Sequence, residues 1–329
     1  MMQGRRDFLT RMAALIASAA SMPRAFAQAA YPNKPIHIIV AFAPGDSVDN
    51  VIRIVQPKLS EMLGQPVIIE NRPGGGTSIA AGAVTKAAAD GYTLLFTASG
   101  AHVIHTIGQP QYQYEPIRDF TAISSISRAG WAFVVHPSLP VNSIAEYITY
   151  AKANPGKISF GSAGIGAGNH LVMVRFNLAA GIVTEHIPYK SSPNAVLDVT
   201  AGRLQAYFTS RTSLQPIIDA GRVRALTFTA TRPGEFPASM SFAAAGFPEF
   251  DSVDTKYILL GPANLPPQVL GRLSTAIEKV LALPEIQASM AAQKQSAYFR
   301  NSQQIGESLS SDYEKYKVII REAKINMQG

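Results

Sequence analysis

Two glycine-bearing segments carry the residue types that could do chemistry. "VAFAPGDSVDNVIRIV", residues 40–55, runs from an apolar strand through a turn holding Gly45, Asp46 and Asp49 into an amphipathic helix. "GSAGIGAGNH", residues 161–170, repeats the arrangement with Ser162, Gly164, Gly166, Ala167, Gly168, Asn169 and His170. A turn of this kind favours anions, because free backbone N–H groups and the positive end of a helix dipole both attract negative charge. The first turn, however, brings two carboxylates of its own.

Catalytic readings are weaker. "GSAGIGAGNH" imitates a dinucleotide fingerprint: it follows a strand, opens a helix, and Glu185 lies near the end of the next strand as a ribose partner. Its glycines run G-x-G-x-G, and Asn169 stands where the third required glycine belongs, so a nicotinamide-dependent oxidoreductase is the rival reading. No G-x-S-x-G turn, Walker loop or H-E-x-x-H occurs. Of six histidines only His102 and His105 are close in sequence, and no carboxylate pair suggests an acid/base couple. The absence of cysteine excludes thiol catalysis and zinc–thiolate sites. No catalytic residue, cofactor or metal is expected.

The elements that must position these turns alternate. Strand-like runs at 36–42, 66–70, 92–97 and 122–126 are interleaved with helical patterns at 51–62 and 80–88. The pattern restarts with a strand at 131–136, a helix at 144–152 and a strand at 158–161. Behind the second turn, Leu171, Val174 and Leu178 share a helix face. Strands follow at 184–188, 205–209, 224–228 and 257–260, then helices from Pro267 through Leu281 and from Ile305 to Ile320. This is an α/β chain with largely parallel sheets, and its length suits two lobes. Both glycine turns lie at C-terminal strand ends, where open α/β sheets bind ligands.

The first 27 residues read as an export signal. Arg5 and Arg6 precede a small apolar run to Met22, and Ala25-Phe26-Ala27 supplies an A-x-A cleavage site. The Arg pair followed by Phe8-Leu9 resembles a twin-arginine signal, although Gly4 replaces the usual Ser or Thr; a general secretory signal stays open. Removing four Arg and one Asp lowers the net charge from +7 to +4. With no basic run, nucleic acid is not an expected partner. The expected mature protein is a periplasmic monomer.

"YPNKPIHIIVAFAPGDSVDNVIRIVQPKLSEMLGQPVIIENRPGGGTSIAAGAVTKAAADGYTLL" is similar to the N-terminal half-domain of the Bug family, the extracytoplasmic solute-binding proteins of tripartite tricarboxylate transporters. The likeness continues through "VVHPSLPVNSIAEYITYAKANPGKISFGSAG", "HIPYKSS", "AGRVRALTFTATRP" and "LLGPANLPPQVLGRLSTAI". The resemblance implies a two-lobed periplasmic-binding-protein (Venus flytrap) fold, each lobe a mostly parallel sheet flanked by helices. Lobe 1 would comprise residues 28–130 and 257–329, and lobe 2 residues 131–256. It also implies capture of a small carboxylate between the lobes, without chemistry, and delivery to membrane permease subunits; sensing without transport is the other use of such a fold. Carried over, the ligand-binding positions are Phe42, Ala43, Pro44, Gly45, Asp46 and Asp49 in the first loop. In the second they are Ser162, Gly164, Gly166, Ala167, Gly168, Asn169 and His170. Ser99, Gly100, Tyr189 and Lys190 are further walls.

Each position has a plainer use. Asp49 is expected to cap its helix, "NRPGGG" to form a structural turn, Lys190 to be solvated, and Trp131 either to stack on ligand or to fill the hinge. The first loop departs from the family's two consecutive glycines at Asp46, and Ser191 replaces a glycine. Ala167 and Gly168 stand where relatives offer hydroxyls. Three placements of Asp46 are open: toward solvent, toward a donor on the ligand, or in a loop that no longer takes anions. The expected ligand is a mono- or dicarboxylate bearing a hydrogen-bond donor, aromatic or amino-bearing.

Overall fold

The computed structural model describes residues 31–107, 112, 114–229, 235–251 and 253–327; the expected export signal lies outside them. β1 (Ile36–Val40) leads through the first glycine turn into α1 (Ser47–Leu63). In that helix Val51, Ile52, Val55, Leu59 and Leu63 recur at helical spacing and are buried. β2 (Val67–Asn71) and β3 (Thr93–Ala98) pair parallel to β1 on its two sides, joined by α2 (Ser78–Thr85). β3 ends at α3 (Ser99–Ile104).

The two strands expected at 122–126 and 131–136 are one, β4 (Phe120–Val135). Its residues 120–130 pair antiparallel with β9 (Asp254–Pro262), and its residues 131–135 pair with β7 (Ala206–Ser210) and β8 (Arg224–Phe228). Of the three serines that interrupt the apolar pattern of the strand, Ser125 and Ser127 are satisfied by β10 (Ser296–Arg300) and the residue before it, while Ser124 Oγ is buried without a partner. Ser125 Oγ donates to Tyr298 O at 2.5 Å, and Ser127 Oγ to Gln295 Oε1 at 2.8 Å.

Beyond β4 come α4 (Ile144–Ala153), β5 (Ser159–Ser162), α5 (Gly168–Ala180), β6 (Glu185–Pro188), α6 (Ser192–Thr200) and, after β7, α7 (Arg211–Asp219). Behind β9 follow α8 (Pro267–Leu281), α9 (Pro284–Ala292) and α10 (Ser302–Glu322). The strand order is β2-β1-β3-β9-β4 and then β4-β7-β5-β6, with β10 and β8 also on β4. Parallel pairing is confined to β2-β1-β3 and β7-β5-β6; the strands between them run antiparallel.

The far half of β4 is buried on both faces, which is why it reads as a continuous apolar run. Phe133 and Val135 join an aromatic core with Tyr147, Phe160, Phe176, Phe208, Phe242 and Phe250. Ala132 and Val134 face Val199, Leu204, Tyr207 and Leu214. Leu171 packs with Ile104, Ile258, Ile305 and Leu309, on the other side of β4 from its own sheet. The helix face expected from Leu171, Val174 and Leu178 is therefore not one buried face: Leu178 is exposed, and Val172, Met173 and Phe176 fill the core instead.

Candidate functional site

The first turn is closed by its own acids. Asp46, not Asp49, is the N-cap of α1, and its side chain accepts from Val48 N at 3.0 Å. Its backbone is extended (φ −65°), so a side chain sits there without strain; Gly45 alone carries the left-handed step at φ +81°. Asp49 is buried and fully used. Its Oδ2 accepts from Gly45 N at 2.9 Å and Arg53 Nε at 2.8 Å, and its Oδ1 from Asn71 Nδ2 at 2.8 Å. Burial alone would raise the Asp49 pKa, but the hydrogen bonds from Arg53, Asn71 and Gly45 outweigh it and hold the carboxyl below its ordinary value.

Asn71, at the end of β2, is the hub that sequence reading assigned only to a turn. Its Nδ2 also donates to Phe42 O at 3.0 Å, and its Oδ1 accepts from Arg53 Nη2 at 2.9 Å. These partners fix the amide orientation and tie the first turn to the neighbouring strand. Phe42, Ala43 and Pro44 thus lie in a braced loop.

The second turn is built differently. Ser162 Oγ donates to Gly164 O at 2.9 Å, accepts from Gly164 N at 3.1 Å and lies 2.6 Å from His186 Nε2. With its single proton used on Gly164, the hydroxyl accepts from His186, which fixes the Nε2–H tautomer there. Asn169 Oδ1 accepts from Ala163 N at 3.2 Å, and its Nδ2 donates to Tyr207 OH at 3.0 Å. Gly166 N donates to His170 Nδ1 at 3.0 Å, so the neutral His170 ring carries its proton on Nε2. Gly166 has φ +76°, a left-handed conformation that disfavours a side chain, and packs against the Met327 thioether, which an added Cβ would displace.

His170 and His186 stack with ring centroids 3.8 Å apart, and Phe160 stacks on His186 at 4.9 Å. Burial lowers the His170 pKa to about 4, with the neighbouring His186 adding to the effect, and burial lowers His186 to about 4. Both rings are neutral near pH 7. His186 was missed by sequence reading; its only signal was its place on the strand after the second turn.

The two helix starts differ in their caps and in the charge beside them. α1 is capped by a carboxylate, whereas α5 has Ala167 at its N-cap and no side-chain cap. Among the described residues, the amides of Gly168 and Asn169 at the start of α5 have no acceptor in the protein, and neither do those of Phe42, Ala43, Ser47 and Asp49 in the first turn.

Between the turns lies a floor of ring and hydroxyl groups. Tyr257 OH is 2.9 Å from Ser47 Oγ, and burial pushes its pKa up to about 12. Trp131 packs edge-on to Phe208 (5.2 Å, 79°) and donates Nε1–H to Thr255 Oγ1 at 2.8 Å. It fills the junction of the sheets, with only its ring edge near Gly168. Ser99 and Gly100 open α3, and Ser99 is buried. Tyr189 contributes backbone, its N–H bonding Ser162 O at 3.0 Å, while its hydroxyl turns to Asp198 at 2.7 Å. Lys190 is exposed. His102, one of the two closely spaced histidines, is buried against Phe120 and bonds Pro116 O at 2.8 Å.

The family described as "Tripartite tricarboxylate transporter family receptor" matches residues 51–325. A protein of Pseudomonas sp. (strain P51), described as a UPF0065 protein in the tcbD-tcbE intergenic region, is 33% identical over 98% of this chain and 96% of its own. Protein BugT of Bordetella pertussis is 31% identical over 89% of this chain and 90% of its own. A solved structure, "R. palustris Rpa4515 with adipate", superposes with a TM-score of 0.79 at 26% identity, covering 90% of this chain and 99% of its own.

Proposed function

The chain belongs to the tripartite tricarboxylate transporter receptor family, and from that premise we propose that it captures a small carboxylate at the uncapped start of α5. It is a binding protein, not an enzyme, and the fold is the two-lobed periplasmic binding type. The observation that carries the reading is the asymmetry of the two helix starts. Both leave backbone N–H groups free, but Asp46 and Asp49 place negative charge on the first, whereas the second, with its free Gly168 N–H and Asn169 N–H, has no side-chain cap and no acid in its first turn. The His170 Nε2–H is a third donor on the same turn. The ligand carboxylate thus belongs on lobe 2, and the Asp46 side of the cleft takes a donor or nothing.

In this reading lobe 1 comprises residues 28–130 and 257–329 and lobe 2 residues 131–256. Ligand binding at both walls shifts an open–closed equilibrium toward closure. The protein acts as a monomer in the periplasm after export by the N-terminal signal, and hands its cargo to membrane permease subunits. Adipate, bound in the R. palustris relative, is the first probe. A thermal-shift screen over aliphatic dicarboxylates, citrate, amino acids, aromatic acids and NAD tests the reading. A ligand at 100 times its Kd stabilises by about 2.7 kcal/mol. Folded protein that responds to no acid, or to NAD alone, would overturn it.

A further inference from the structure

The turn that leads into α5 has little of its own to fix it. Residues 163–168 are glycine, alanine and one isoleucine, and that isoleucine, Ile165, is exposed. Gly164 and Gly166 both take positive φ values, +129° and +76°. A segment of this composition visits many conformations unless something outside it holds it.

The hold comes from the residues beyond α10. There the chain reverses: Ile325 N–H donates to Ile320 O at 3.0 Å and Lys324 N–H to Arg321 O at 3.2 Å, with Lys324 at φ +50°. These are the paired bonds of a Schellman turn, and Ile320 and Ile325 both pack on the core beside it. The reversal delivers Met327 to Gly166. The Met327 thioether occupies the space that a Cβ on Gly166 would need, its Sδ 2.8 Å from that point. Met327 is buried in one cluster with Ile104, Leu171, Ile305 and Leu309. Ile104 of the same cluster reaches toward Gly168.

We propose that Met327 is a positioning residue for carboxylate capture, holding Gly166 so that the turn presents its donors in the geometry an anion needs. The proposal rests on the carboxylate-receptor reading above, in which Met327 belongs to lobe 1 and the turn to lobe 2.

Two links carry the effect from Met327 to the ligand. Gly166 N–H donates to His170 Nδ1 at 3.0 Å, which sets the ring and leaves its proton on Nε2. Ala167 N–H donates to Gly164 O at 3.1 Å and closes the turn around Gly166, so Gly166 also sets where Gly168 N–H and Asn169 N–H point. A displaced Gly166 therefore moves all three donors. A loop already held in its bound conformation loses less freedom on binding, and that difference appears as affinity. Glycine leaves the notch, and the unbranched methionine side chain is long and adaptable enough to fill it.

The test titrates adipate, succinate and benzoate calorimetrically into purified wild type and variants. Met327→Ala should weaken the tightest-bound of these acids about tenfold, whereas Met327→Leu, of similar volume, should stay within twofold. Met327→Val removes only the end of the side chain that meets Gly166; it is the second variant should the alanine form not fold, with a weakening of at least threefold. Leu309→Ala controls for a merely structural role. It empties part of the same cluster from α10, so it should lower the unfolding temperature and leave Kd within twofold. Long-range ¹H–¹⁵N spectra of histidine-labelled protein read the turn directly: the Nε2–H tautomer of His170 in wild type should give way to a mixture in Met327→Ala. Unchanged affinity in the alanine and valine variants, equal weakening by Leu309→Ala, or weaker binding with an unaltered His170 signature would overturn the positioning role and leave the receptor reading standing. Wild type that binds none of the three acids, nor any other acid of the thermal-shift panel, would overturn both.

Discussion

Asp49→Asn isolates what braces the first turn. The carboxylate accepts three hydrogen bonds, from Gly45 N, Arg53 Nε and Asn71 Nδ2. An asparagine can keep its oxygen toward Gly45 and Arg53, but its NH₂ then meets the NH₂ of Asn71. Asn71 cannot rotate to accept, because its orientation is held by Phe42 O and Arg53 Nη2. A buried donor left without an acceptor costs about 1–3 kcal/mol. The ion pair adds less: the Arg53 side chain is 49% exposed and regains water, so its loss is worth about 0–1 kcal/mol. The sum is about 3 kcal/mol, and at about 2–4 °C per kcal/mol the unfolding temperature should fall by about 6–12 °C. The pH dependence has a definite sign. A carboxyl held below its ordinary value contributes stability that is present above the unfolded-state pKa of 3.8 and is lost as pH falls through the lowered folded value. Calorimetric scans should therefore show a constant gap between wild type and variant from pH 7 to 5 that narrows below about pH 4. A variant within 1 °C of wild type at pH 7, on the order of 0.3 kcal/mol, would refute the bracing role.

Other outcomes follow from the same geometry. Asp46→Gly should cost only a few tenths of a kcal/mol, because glycine is a tolerated cap, yet it frees Val48 N–H and removes a negative charge. Carboxylates without a donor should then bind about 2- to 10-fold more tightly in a calorimetric titration, by the usual worth of a charge near a helix start; unchanged affinity places Asp46 outside the ligand's reach. Gly45→Ala meets no atom within 4 Å, so its cost of about 1–2 kcal/mol should come from the left-handed backbone alone, and urea unfolding with an unchanged m-value would register it. Buried His102 and His170, both lowered to about 4, bind no proton in the fold until far below their ordinary value of 6.5. Their contribution is complete above pH 6.5 and is withdrawn as pH falls toward 4, worth about 3 kcal/mol for fully buried His102. Urea midpoints that stay flat from pH 7 to 4.5 would contradict that burial.

Much of the architecture was legible because it follows from local rules. The strand–turn–helix units of both glycine turns appear from apolar periodicity and glycine placement, which depend only on neighbouring residues. The family resemblance likewise runs in order along the chain. Elements missed by periodicity were the short or polar ones: α3, α6, α7, α9 and β10. β4 was divided in two because its serines break the apolar pattern, and partners on the β10 side explain the burial of Ser125 and Ser127.

The candidate site was legible as two turns but not as a mechanism. Sequence alone placed both turns between a strand and a helix start, the setting that favours anions, and showed that the first carries acids of its own. Tertiary structure decided what those acids do. The cap is Asp46, while Asp49 is claimed by Asn71, 22 residues away, and by Arg53 on the next helical turn. It also stacked His170 on His186 from the following strand, and brought Arg211 and Lys294, 83 residues apart, to the walls of one cavity. Residue type and spacing fix which groups a segment offers. Whether a group is spent on the fold or left for a ligand depends on donors and acceptors delivered by distant strands, and only packing brings those within hydrogen-bond reach.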